Sequence, residues 1–123
     1  MQNNNEGKST VNNDLFNAIN NGNTEAVIKL LRDSKINVNQ ATEGGLTPLL
    51  AAIDKGHTEI VKKLLKKESI DVNQADAKRV TPLWAAAYKG HNEIVGELLT
   101  KEDIEVNQFS INGKTPLYAA AFH

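Results

Sequence analysis

The feature that most constrains the fold of this chain is an internal repeat with a period of 34 residues. The tripeptide Thr-Pro-Leu begins at Thr47, Thr81 and Thr115. A glutamate that opens a run ending in Leu-Leu recurs at the same offset, at Glu25, Glu59 and Glu93. Several motifs that return in one order and at one spacing indicate a row of similar units rather than a single closed globule.

Each unit is predicted to contain two short helices. Thr47 offers a hydroxyl to the first free amides of a helix, and Pro48 occupies the first helical position, where no amide hydrogen is needed. Gly56 follows two turns later, where a left-handed residue ends the helix without a Cβ clash. A cap at Thr58 and an acid at Glu59 then begin the second helix. Equivalent caps are expected at Thr24 and Asn92.

The second helix has one apolar side. Its apolar residues share a face at helical spacing, and in the middle unit they are Ile60, Val61, Leu64 and Leu65. Lysines occupy most of the opposite side, at Lys62, Lys63, Lys66 and Lys67. Helices this short cannot bury such a face alone, so the units are expected to stack on one another. The alanine runs at 51–52, 85–87 and 119–121 allow adjacent helices to approach closely.

These motifs resemble the ankyrin repeat family, whose unit combines a Thr-Pro-Leu helix, a Gly-His turn, a Val-x-x-Leu-Leu helix and a β-turn finger. The resemblance implies an all-α fold: a solenoid of stacked helix-turn-helix units with β-turn fingers. We therefore expect a polar, flexible leader at 1–12 and a repeat domain at 13–123. Its units are 13–46, 47–80, 81–114 and a partial unit at 115–123.

The chain departs from the family pattern in two places. The usual period is 33, and the extra residue here falls after the second helix, where the family usually has a glycine cap. The finger signature Asp-x-x-Gly is incomplete, because Asp76 is followed by Arg79 in the glycine position, so the middle finger is expected to deviate. His57 and His91 follow the turn glycines, and hydrogen bonds between neighbouring loops are expected of them.

The first and last repeat units differ in their patterns of polar and apolar residues. Polar residues coat the first helix of the first unit, at Asn17, Asn20 and Asn21, which is typical of an end that faces water. The last unit contains a first helix without a second one, which leaves an apolar face. We expect a longer array to cover that face, or another chain, including self-association through this end.

Composition excludes several classes of function. The 14 Lys and Arg against 15 Asp and Glu give a formal charge of -1, so a nucleic-acid or membrane partner is not expected. The absence of cysteine fits an intracellular, cytoplasmic protein, with export as an effector left open. No motif for a catalytic site, metal or cofactor emerges, so an enzyme is not expected. The lysine cluster of the second helix leaves phosphate binding as a minor alternative, against a solvated outer face.

The resemblance implies a non-enzymatic scaffold that binds a partner protein through its concave surface of fingers and first helices. The alternative is an ankyrin segment that targets or positions a larger enzyme or effector. The candidate contacts are the residues that usually vary on that surface: Glu43, Leu46, Lys55, Lys78, Val80, Trp84, Tyr88, Lys89, Phe109, Ile111, Lys114, Tyr118 and Phe122.

Aromatic residues are the most informative of these candidates. Trp84 and Tyr88 are four residues apart and share a helical face. Tyr118 and Phe122 repeat that spacing. Such side chains suit interfaces because they bury a large area with little loss of rotamer entropy. For Trp84 and Tyr118, packing between units is the favoured interpretation, whereas for Tyr88 and Phe109 packing and exposed contact are equal interpretations.

Overall fold

A computed structural model describes residues 10–107 and 115–121 of the chain. Within these residues there are seven helices and no strand, which confirms the all-α class. The helices are α1 (Thr10–Asn20), α2 (Thr24–Leu31), α3 (Pro48–Lys55), α4 (Thr58–Leu65), α5 (Pro82–Tyr88), α6 (Asn92–Leu99) and α7 (Pro116–Ala121). None of them is long and apolar enough to cross a membrane.

The predicted limits of the first helices are confirmed. The Thr47 hydroxyl accepts the Leu50 amide hydrogen at 3.0 Å, and the Thr81 hydroxyl accepts that of Trp84 at 3.1 Å. Pro48 follows its cap as the first helical residue. At the other end, Gly56 has a φ of 70°, the left-handed conformation expected of it.

The predicted caps of the second helices are wrong by one position. The expected cap residues are the first helical residues instead, at Thr24, Thr58 and Asn92. The caps are the preceding residues, Asn23, His57 and His91. The side-chain Oδ1 atom of Asn23 accepts the Ala26 amide hydrogen at 3.1 Å, whereas His57 and His91 make no such side-chain bond. The backbone leaves the helical conformation at Asn23, where ψ is 86°, and this decides which residue is the cap.

The helices form two layers with the core between them. First helices pack on first helices in the order α1, α3, α5 and α7, and second helices pack in the order α2, α4 and α6. Each of α2, α4 and α6 also packs on the first helix of its own unit. Fully buried residues such as Leu15, Ile53, Leu64 and Leu98 run through the core. The predicted stack of helix pairs is therefore confirmed.

The prediction that the middle finger deviates is wrong, because it forms the same turn as the finger before it. The Thr42 amide donates to the Leu46 carbonyl at 2.9 Å, and the Asp76 amide donates to the Val80 carbonyl at 3.1 Å in the next unit. Arg79 takes the left-handed conformation, with a φ of 64°, at the place where glycine was expected. The Asp76 carboxylate accepts the Val80 amide hydrogen at 3.0 Å, which holds this turn.

Adjacent fingers are also joined through the backbone. The Ala77 amide donates to the Gly44 carbonyl at 3.1 Å. Gly45 has a φ of 85°, and a Cβ on it would lie 2.7 Å from the Ala77 nitrogen. Only glycine allows the two fingers to approach this closely.

Asparagine side chains connect each finger with the following unit. Asn39 donates from Nδ2 to the Ser69 carbonyl at 2.7 Å and accepts the Asp71 amide hydrogen at 2.8 Å. Asn73 repeats both bonds one unit later, to the Asp103 carbonyl at 2.7 Å and the Glu105 amide at 2.8 Å. Both ends of each side-chain amide are used, so these residues fix the spacing of the units.

Lysine side chains connect the second helices in the opposite direction. Lys67 donates from Nζ to the Leu31 carbonyl at the end of α2, at 2.9 Å. Lys101 donates in the same way to the Leu65 carbonyl at the end of α4, at 2.9 Å. Each lysine thus satisfies a carbonyl that the preceding helix leaves without an intrahelical partner.

The first helix begins earlier than the sequence indicates. The last three residues of the expected leader, 10–12, are helical, and residues 1–9 lie outside the described part of the chain. Asn12 is only 2% exposed; it donates to the Asn37 carbonyl at 2.7 Å and accepts the Asn37 amide hydrogen at 3.0 Å. Asn37 lies one period before Asp71, whose amide bonds to Asn39. Asn12 therefore performs, within the first unit, the role that Asn39 performs between units.

Candidate partner-binding surface

The finger residues among the predicted contacts lie at the surface. Glu43 and Lys78 are exposed, each near the tip of its finger. Leu46 is 37% exposed immediately before the cap of α3, and Val80 occupies the same place before α5 and is half-buried. Lys55 is exposed at the end of α3. These residues lie on the fingers and at the ends of the first helices.

Two aromatic side chains on α5 stack on each other at the predicted surface. The Trp84 and Tyr88 rings stack with their centroids 4.9 Å apart and an interplanar angle of 14°. Tyr88 is 50% exposed, whereas Trp84 is partly buried. The Trp84 Nε1 atom is buried and has no hydrogen-bond partner. Trp84 thus supports the ring of Tyr88 from below, and Tyr88 offers its outer side to solvent or to a partner.

An ion pair borders the aromatic pair. Lys89 Nζ lies 3.0 Å from the Asp54 carboxylate and joins the ends of α5 and α3. Both side chains remain largely exposed, at 40% and 59%, so water screens their attraction and the pair contributes little to stability. Lys89 was predicted as a contact from its place in the repeat, but nothing in the sequence pattern indicated its pairing with Asp54.

The C-terminal part of the predicted surface is only partly described. Tyr118 is 42% exposed on α7, which packs against α5. Its amide donates to the Thr115 hydroxyl at 3.1 Å, so the cap signal of the earlier units also holds here. The remaining predicted contacts, Phe109, Ile111, Lys114 and Phe122, lie outside the described residues.

Two of the four lysines in the cluster at 62–67 are bonded to other protein groups. Lys62 contacts Glu93 at 3.2 Å and Glu59 at 3.4 Å. The hydrogen bond to Glu93, followed by the one to Glu59, raises the pKa of Lys62 above its ordinary value. Lys67 bonds to the Leu31 carbonyl. The neighbouring groove of about 830 Å³ is lined by both lysines and acids, so this side has no continuous positive field.

The rings of the turn histidines pack on glycines of the preceding turns. Hydrogen bonds between neighbouring loops were expected of them instead. The His57 ring covers Gly22, where a Cβ would lie 3.0 Å from its Cε1 atom, and the His91 ring covers Gly56 at 3.1 Å. His57 Nε2 is buried without a hydrogen-bond partner, so the expected bond between loops does not form at that atom. In the part of the chain that the structure describes, no three metal-ligating side chains come together.

The comparisons with known proteins agree with this architecture. The family model described as ankyrin repeats in three copies matches residues 2–76 and 70–123. A search of curated proteins finds no match for the chain.

Proposed function

The chain belongs to the ankyrin repeat family, whose repeats generally mediate protein–protein interaction, and we propose that it binds a partner protein through its fingers and first helices. Family members are typically interaction modules without enzymatic activity, and we propose the same of this chain. The observation that carries this proposal is the exposed Tyr88 ring, held in place by its stack on Trp84.

Tyr88 and the other exposed residues predicted for this surface suit a protein ligand. A rigid aromatic side chain provides a large contact area, and its rotamer is already restricted before the partner arrives. The exposed Leu46 adds apolar area, while Lys55 and Lys78 add charges that can select a complementary partner. The bond between the Ala77 amide and the Gly44 carbonyl limits movement of the fingers, so this surface is preorganised.

An affinity pull-down with the intact tagged chain tests the proposal. Tyr88→Ala should weaken the captured complex about tenfold, as expected when a central aromatic anchor is truncated. Because Tyr88 is half-exposed, the variant should keep nearly the same thermal midpoint.

Lys66→Ala is the control, because this exposed residue directly follows α4, on the layer of second helices. It should leave the affinity unchanged. Equal affinity of the Tyr88 variant and the unaltered chain, with both folded, would contradict the proposal.

A further inference from the structure

One residue of the second finger, Arg79, takes a backbone conformation that arginine rarely adopts. Its φ is 64°, and in the part of the chain that the structure describes no other residue except glycine has a positive φ. The left-handed conformation costs energy at any residue that carries a Cβ atom. One period earlier, the same position of the first finger is Gly45, with a φ of 85°. The turn itself therefore does not require an arginine.

The Arg79 side chain is exposed and lacks an acidic partner among the described residues. None of the ion pairs between those residues involves it. The acid nearest to it in sequence, Asp76, is used within the turn, where Oδ1 accepts the amide hydrogens of Lys78 at 2.8 Å and of Val80 at 3.0 Å. Lys78 is also exposed. The second finger therefore carries two adjacent positive charges in contact with solvent.

The segment that follows in the sequence supplies no acid for these charges, because residues 106–123 contain neither aspartate nor glutamate. Close packing of a backbone against Arg79 is also prevented. At the first finger, a Cβ on Gly45 would lie 2.7 Å from the Ala77 nitrogen of the second finger. Arg79 carries a Cβ at the equivalent position, so no backbone can approach it as the second finger approaches Gly45.

We propose that Arg79, assisted by Lys78, binds a carboxylate of the partner protein, and that the partner segment at this finger is acidic. This inference rests on the proposed function, since it names the chemistry of the partner that the fingers and first helices bind. A planar guanidinium can donate two parallel hydrogen bonds to one carboxylate. Glu43, exposed near the tip of the first finger, repels such a segment and so favours the second finger as the place of the acid.

The length of α5, which separates Arg79 from Tyr88, determines the design of a probe. The helix has seven residues and is about 10 Å long, a distance that about three residues of an extended peptide cover. The probe is the fluorescently labelled peptide Glu-Leu-Ser-Tyr-Ser-Leu-Glu, which has an acid three residues from an aromatic ring in either direction. Its twin has lysine in place of both glutamates. In anisotropy titrations with the full chain, the acidic peptide should bind saturably and at least tenfold more tightly than the twin.

Arg79→Asn in the full chain tests the role of the guanidinium. Asparagine tolerates the left-handed conformation and keeps a Cβ atom, but it carries no charge. The variant should bind the acidic peptide at least threefold more weakly, with no loss in thermal midpoint. Arg79→Gly, which has the residue of the first finger at this position, should have the same two effects. Arg32→Asn is the matched control, because Arg32 is exposed directly after α2 on the layer of second helices, and its affinity should not change.

Equal binding by the Arg79→Asn variant and the unaltered chain would overturn the proposal. Equal or tighter binding of the lysine twin would do the same, and so would the absence of saturable binding of the acidic peptide. These results leave the proposed function standing, since the pull-down with Tyr88→Ala detects a partner of any charge. Equal affinity in that pull-down would instead count against the proposed function itself.

Discussion

The two ends of this array handle the same structural problem differently. At the first unit, Asn12 bonds to both backbone groups of Asn37. At the last described units, Leu99, Val106 and Leu117 remain exposed at positions that are buried earlier in the chain. Among the described residues, a buried polar side chain marks one end, and three exposed apolar side chains mark the other.

This contrast shows that burial in a repeat protein depends on the neighbour and not on the residue type. Leu65 and Leu99 are the same amino acid, one period apart and both at the end of a second helix. Their exposures differ tenfold, 5% against 50%. α6 packs against α4, which carries Leu65, whereas Leu99 ends α6, the last second helix that the structure describes. Stability should therefore be distributed unevenly among equivalent positions.

The largest expected effect tests that contrast directly. Leu65→Ala should lower the free energy of unfolding by about 3 kcal/mol, because it opens a cavity between units. Leu99→Ala should cost less than about 1 kcal/mol, since the leucine is already half in water. Urea unfolding monitored by circular dichroism measures both values. Similar losses for the two variants would break the comparison between the ends.

Loss of the Asn12 bonds at the first unit is expected to lower the free energy of unfolding by a smaller amount than Leu65→Ala does. Asn12→Ala should cost about 1.5 kcal/mol, because it removes two hydrogen bonds and leaves the Asn37 backbone groups without their partner. Asn107→Ala, at the exposed finger asparagine of the third unit, should change stability by less than about 0.5 kcal/mol. If Asn107→Ala lowered the free energy of unfolding as much as Asn12→Ala, the hydrogen bonds of Asn107 would stabilise the chain as much as those of Asn12, contrary to this prediction.

The smallest effect concerns the ion pairs of Lys62, which join α4 to α6. A raised pKa means that Lys62 binds its proton more tightly in the folded chain, so its contribution is complete below the ordinary value of 10.5. This contribution to stability is lost as the pH rises through the pKa that Lys62 has in the folded chain. Above pH 10.5, the unaltered chain should lose slightly more stability than the Lys62→Met variant. Lys63→Met is the control, and parallel curves for all three proteins would rule out this role of Lys62.

Periodic signals predicted the architecture well. Thr47, Pro48 and Gly56 act through local rules of backbone conformation, so their roles can be assigned from sequence alone. The left-handed Arg79 could not be assigned in this way. The bonds of Asp76 within the turn and of Ala77 to the preceding finger hold its backbone, and these contacts override the preference of the residue itself.

The missed contacts are those that connect units or lie outside the period. Lys67 belongs to a lysine run typical of a solvated helix face, and its bond to the Leu31 carbonyl depends on how α2 and α4 stack. Asn12 lies 25 residues before its partner Asn37, whereas Asn39 lies 32 residues before Asp71, so no repeat alignment would pair them. Of the candidate surface, the spacing of Trp84 and Tyr88 predicted a shared face, but the exposure of Tyr88 required the packed structure.

The bonds made by Asn39, Asn73, Lys67 and Lys101 all end on main-chain groups of the adjoining unit. Every amino acid supplies a main-chain carbonyl, and all but proline supply an amide hydrogen, so these connections place little demand on which side chains the neighbour carries. Duplication or deletion of one whole period in the gene would leave them intact, whereas surface residues could diverge from copy to copy. Such a chain can change length by whole units, and each copy can then acquire its own specificity by later substitutions.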